Sequence, residues 1–172
     1  MPRIRNPGEE NTLRKNLRYI YGDGVSFSLM VGLGEAYIPA FALAVGMSEV
    51  KAGWIVSIPM MAGAVLQLVS PAAVRKLKSH RKWVVLCAFL QAASVFAFMF
   101  EALAGHVPEA LVFLAAALYW GSGMATGPAW NTWVSTLVPK GIRAGYFARR
   151  GRSAQAAVLL GTVAGGFLLQ AG

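Results

Sequence analysis

The sequence predicts an all-α polytopic membrane protein, and three observations carry that expectation. Of 172 residues, 56% are hydrophobic and only 13% charged, against roughly 25% charged in ordinary soluble domains. Mean hydropathy is +0.53. Fifteen of the 16 Lys and Arg residues gather in three clusters, Arg3 to Arg18, Arg75 to Lys82 and Lys140 to Arg152, with Lys51 alone elsewhere. Each gap between clusters holds enough apolar chain for two crossings. Positive charge therefore returns to one side at every second crossing, the pattern that sets orientation in polytopic membrane proteins.

Each element follows in order. Residues 1–18 read as a polar cytoplasmic tail whose Arg14, Lys15 and Arg18 anchor its end at the headgroups. Residues 19–172 read as the transmembrane bundle. A span takes ~20 apolar residues, which gives a first span near 20–45, a second near 52–73, a third near 83–104, a fourth near 110–135 and a fifth near 153–172. The connections after the second and fourth spans are basic and hold no acid, so they face the cytoplasm with the N-terminus. Gly46 to Lys51 and Gly105 to Glu109 are short and nearly neutral, so they face outward. His80 and His106, in connections, read as solvated.

The same features exclude other classes. A net charge of +9 would suit nucleic acid if it were gathered on one surface, but here it is distributed by membrane side. Cys87 stands alone in an apolar run, so no disulfide framework and no metal cluster is expected. The first apolar run is too long for a signal-peptide core of ~7–15 residues and carries Glu35, so it reads as an uncleaved span. No His cluster, nucleophile with a nearby base, or cofactor signature argues for an enzyme.

An internal repeat organises the spans. Gly32-Leu33-Gly34-Glu35-Ala36-Tyr37-Ile38-Pro39-Ala40-Phe41 matches Gly121-Ser122-Gly123-Met124-Ala125-Thr126-Gly127-Pro128-Ala129-Trp130. Both copies read G-x-G-x-A-x-x-P-A-aromatic. A second echo pairs Lys51-Ala52-Gly53-Trp54 with Arg143-Ala144-Gly145-Tyr146. Three spans per copy is an odd number, so the second copy enters the membrane from the opposite side, as in many secondary transporters. The Gly-x-Gly elements lie inside apolar spans with no preceding strand and are no dinucleotide fingerprint.

With the basic run Arg75-Lys76-Leu77-Lys78-Ser79-His80-Arg81-Lys82, these features resemble the N-terminal half of a major facilitator superfamily transporter. The segment from Pro128 through Trp133, then Leu137-Val138-Pro139, then Arg143 through Arg150, is similar to uncharacterised bacterial members. The resemblance covers roughly residues 17–172. It implies an incomplete six-helix N-terminal bundle with 3+3 inverted repeats, five of the six helices being present. The expectation is a fragment of a multi-pass protein of the cell membrane, a bacterial inner membrane, with the remaining helices or a second chain as partner. The family's second-to-third loop signature is degenerate: Ser70 stands near its Gly position and no Asp precedes the basic run.

The implied function is secondary active transport of a small solute by alternating access, with proton coupling; the alternative is a non-transporting membrane scaffold or assembly subunit. Glu35, near the middle of the first span, is the sharpest pathway residue, because an intramembrane carboxylate marks a cavity, a partner or a proton path. Its alternative role is a packing hydrogen bond. Asn131 lies on the helical face of Met124, the repeat equivalent of Glu35, and could enter the same cavity or hold a neighbouring helix. Trp130 could stack on an organic substrate, while Trp133 reads as an interfacial anchor. Gln91 and Gln67 read as pathway or interhelical glue. Pro39 and Pro128 are expected kinks, either flexing or fixed. Asp23 either favours a helix N-terminus or pairs with Arg143, Arg149 or Arg150 in a cytoplasmic gate that includes the loop residues Arg75 and Lys76. Gly161 and Gly165, with Ala157, form a small-residue face for close helix packing. No cofactor is implied, and the partners are the bilayer and a small-molecule substrate.

Overall fold

Two prolines coincide with the changes of winding in the first two membrane-length helices, while a third, Pro59, lies inside continuous α-helix. A proline has no N–H to give the carbonyl four residues earlier. The carbonyls that lose their helical partner to Pro39 and Pro71 are those of Glu35 and Gln67, and 3₁₀ turns begin at these two residues. The Gln67 carbonyl accepts instead from the backbone N–H of Ser70, three residues on.

The computed structural model describes residues 7–105 and 107–171. Arg3 and the first part of the tail, and His106, lie outside the described residues. The described chain is helical throughout: α1 (Pro7–Leu33), a 3₁₀ turn (Glu35–Tyr37), α2 (Ile38–Ala44), α3 (Glu49–Leu66), a 3₁₀ turn (Gln67–Val69), α4 (Ser70–Leu77), α5 (His80–Ala104), α6 (Glu109–Leu137) and α7 (Lys140–Ala171). Ser48 and Ser79 cap α3 and α5 by accepting from the N–H groups of Lys51 and Lys82. Lys78 (φ 50°) and Gly105 (φ 71°) stop α4 and α5 in left-handed backbone.

Two helices start earlier than the apolar runs suggest. Helix α1 already covers residues 7–18 of the expected tail, with Pro7 at its start and Glu9 and Glu10 in its first turn. Glu10 accepts from Arg14 one turn on, at 2.7 Å. Helix α7 takes in the basic connection from Lys140. Hydropathy finds where a helix meets lipid, and polar helix ends lie beyond it.

Five helical stretches are long and apolar enough to cross a membrane: Gly8–Ala44, Glu49–Leu77, His80–Ala104, Glu109–Leu137 and Lys140–Ala171. Large apolar side chains on them lie open, Leu103 at 77% and Phe89 at 71% exposure, as a hydrocarbon solvent permits.

The chain divides into two compact units, one of Met1–Ala36 with Val134–Gly172, the other Tyr37–Trp133. In the first, α1 and α7 pack side by side. Tyr146 Oη donates to the Leu17 carbonyl (2.7 Å), Arg150 Nε to the Ile20 carbonyl (3.1 Å), and the hydroxyls of Tyr21 and Ser153 share a hydrogen bond; these partners lie 129, 130 and 132 residues apart. A constant offset means parallel helices, as a first and a fifth crossing must be. Ala157, Gly161 and Gly165 are the buried face of α7, and a Cβ on Gly161 would stand 3.0 Å from the Leu29 carbonyl oxygen.

In the second unit α3 and α4 run parallel to α6. Lys51 Nζ meets the Glu109 carboxylate at 2.6 and 2.8 Å, and Ser70 Oγ donates to the Ala125 carbonyl at 2.5 Å, pairs 58 and 55 residues apart. Helix α5 runs the other way against α6: Trp83 reaches Ala125, whereas Gln91, later in α5, packs on Gly123, earlier in α6.

Candidate functional site

Glu35 opens the 3₁₀ turn between α1 and α2 and is half-buried. Its acidic side chain and the carbonyl that Pro39 cannot meet with an N–H four residues on therefore belong to one residue, at a change of winding in a membrane-length helix. Helices interrupted in this way are where secondary transporters hold substrates and coupling ions.

The repeat's second copy differs. Pro128 lies inside the unbroken helix α6, so the kink expected there is not accompanied by a change of helix type. Met124, the equivalent of Glu35, packs on α3, its Sδ 3.0 Å from where a Cβ of Gly63 would stand. One residue on, the Ala125 carbonyl accepts from Ser70 Oγ (2.5 Å) and from Trp83 Nε1 (3.1 Å). Trp83 Nε1 also lies 3.3 Å from Ser70 Oγ. This three-way clasp ties the start of α4 and the start of α5 to α6, and so fixes both flanks of the basic loop.

At the basic end of the first unit, Asp23 pairs with Arg150 at 3.7 Å. Asp23 is well inside α1, which begins at Pro7, so it sits at no helix N-terminus; of the two readings of this residue, pairing is the one with geometry. The three arginines grouped as gate partners have separate roles. Arg150 is held by Asp23 and the Ile20 carbonyl. Arg143 donates to the carbonyls of Ser135 and of Val138, the latter at 3.0 and 3.3 Å, capping the end of α6. Arg149 is exposed on a cleft beside α1. Arg75 and Lys76 are exposed in the last turn of α4.

Among known families, residues 24–172 match the Major Facilitator Superfamily. The chain belongs to that superfamily. No curated protein and no solved structure matches it. It is thus a multi-pass membrane protein and a transporter of the major facilitator type, in contact with the lipid bilayer and serving small solutes.

In this major facilitator chain the remaining pathway residues are placed as follows. Asn131 is exposed and Trp130 half-buried on α6. Gln91 is buried on α5, its Nε2 2.7 Å from where a Cβ of Gly123 would stand, so its amide occupies the space the repeat's second glycine leaves. No group of His, Cys, Asp and Glu suited to a metal occurs among the described residues.

Sequence reasoning passed over Glu101. It lies in the last turn of α5, is only 7% exposed, and its Oε2 has no hydrogen-bond partner among the described residues. The signal was available: an acid inside the apolar run ending at Ala104 is a second intramembrane carboxylate, and such residues are functional candidates by default.

Proposed function

We propose that this major facilitator protein is a secondary active transporter that moves a small solute by alternating access and couples transport to protons through Glu35. The observation that carries the reading is Glu35 at the 3₁₀ break before Pro39. A carboxylate at that depth is costly unless it pairs, protonates or meets a polar pathway. Asn131 and Trp130, on the repeat-related helix, are the next contributors to that pathway. The Asp23–Arg150 pair, with Arg143, Arg149 and the loop residues Arg75 and Lys76, belongs to the cytoplasmic gate, and Pro39 and Pro128 to the bends of the moving helices. The positive-inside distribution supports a cytoplasmic N-terminus in the cell membrane, a bacterial inner membrane.

The test is Glu35→Gln in the reconstituted transporter. A residue that cycles between ionised and neutral forms is frozen neutral by this change. Accumulation driven by a pH gradient should be lost, while exchange of substrate across the membrane persists. Glu35→Asp should keep partial coupling. Full pH-driven uptake by Glu35→Gln would reduce Glu35 to a packing hydrogen bond.

A further inference from the structure

Beside the Asp23–Arg150 pair, α1 and α7 leave an open cleft of about 640 Å³ at their basic ends. Arg18 and Arg149 border it, both exposed and neither with a carboxylate partner among the described residues. Arg150 next door is consumed by Asp23 and the Ile20 carbonyl, and Arg143 by the end of α6. The two tyrosines on the cleft are also committed, Tyr146 to the Leu17 carbonyl and Tyr21 to Ser153. The groups left to receive a ligand are therefore two guanidiniums above aromatic and aliphatic walls, which include Leu17 and Ile142.

We infer that this cleft seats the headgroup phosphate of an anionic membrane lipid. Guanidinium groups are suited to phosphate oxygens, and the sole acid nearby in α1, Asp23, already faces Arg150. Room exists because the floor is glycine: a Cβ on Gly22, Gly141 or Gly145 would meet nothing within 4 Å. The apolar walls continue along helices that cross the membrane, so a ligand carrying acyl chains fits better than a soluble anion. Basic pockets between membrane helices are known headgroup sites in general.

The experiment places the protein in phosphatidylcholine vesicles and measures the preference of spin-labelled phosphatidylglycerol over spin-labelled phosphatidylcholine. Arg18→Gln and Arg149→Gln should each lower that preference about five-fold, the effect expected per basic residue at a membrane surface. Gly145→Leu keeps every charge and enters open space, so the fold should tolerate it while the preference falls comparably. Arg75→Gln with Lys76→Gln removes two charges elsewhere and should leave the preference intact. An equal loss in that control would mean diffuse surface attraction and overturn the site. So would an unchanged preference in Gly145→Leu. Displacement of the labelled lipid by inorganic phosphate would assign the cleft to a soluble anion and also overturn the inference.

Discussion

A methyl group on Gly161 would lie 3.1 Å from the Cα of Gly32. The backbones of α1 and α7 therefore meet directly, which matters in lipid because close van der Waals packing replaces the hydrophobic effect as the force between helices. A Cβ on Gly32 itself would collide with the Val158 carbonyl. Gly32→Ala should cost about 1–3 kcal/mol by overpacking, read as a lower unfolding temperature in mild detergent. Gly145→Ala, within α7 and facing open space, should be neutral or gain up to ~1 kcal/mol from helix propensity. Equal behaviour of the two would contradict the close contact.

The clasp at Ala125 predicts non-additive mutations. Ser70→Ala and Trp83→Phe each remove one donor to the same carbonyl, and interhelical hydrogen bonds in membranes average about 0.6 kcal/mol. Because the two donors also touch each other, the double variant should lose less than the sum of the single losses. Strict additivity in thermal unfolding would mean that the two side chains act independently.

Glu101 yields a prediction with a sign. Its Oε2 is buried without a hydrogen-bond partner among the described residues, and an unsatisfied buried polar group costs roughly 1–3 kcal/mol. Glu101→Leu, which removes the unpartnered oxygen, should stabilise the protein by about 1 kcal/mol, whereas Glu101→Gln leaves a polar amide in the same place and should be close to neutral. If both variants are destabilised, the carboxylate holds a partner, and it becomes a second functional candidate beside Glu35.

Topology is testable through the two capping serines. Cysteines at Ser48, before α3, and at Ser79, before α5, should be labelled from opposite faces of the membrane. Position 48 should react from outside and position 79 only from the cytoplasm. The native Cys87 is 1% exposed and would be changed to Ser. Labelling of both sites from one face would remove the five-span arrangement.

The fold was legible where lipid and charge dictate it. The basic clusters recur at every second crossing because translocating Lys and Arg is costly, so Arg18, Arg75 and Lys140 mark one side before any contact is known. The Gly161 and Gly165 face was equally readable, since small residues at a spacing of four have few other uses in lipid. What stayed hidden depends on a partner from a distant segment. Arg143, Arg149 and Arg150 are equivalent in sequence, and their different roles follow only from the helix face each occupies. The 3₁₀ turn at Gln67 was within reach, because Pro71 lies four residues on, but Gln67 drew attention as a side chain instead of as a carbonyl. Ser70 had been noted only as a departure from a family glycine; its contact with Ala125 gives it a structural role of its own.

The turn at Gln67–Val69 also has a mechanical consequence. Three residues wound at three per turn in place of 3.6 add about 60° of rotation, and the steeper rise adds about 1.5 Å of length. Everything in α4, Arg75 and Lys76 included, is therefore phased and advanced relative to α3 by that screw step. Relaxing the three residues to ordinary α winding would unscrew α4 by the same amount and pull the Ser70 hydroxyl away from the Ala125 carbonyl. The clasp and the 3₁₀ turn therefore belong to one register of α4, set by the N–H that Pro71 lacks and matched by the Ser70 hydroxyl at the Ala125 carbonyl.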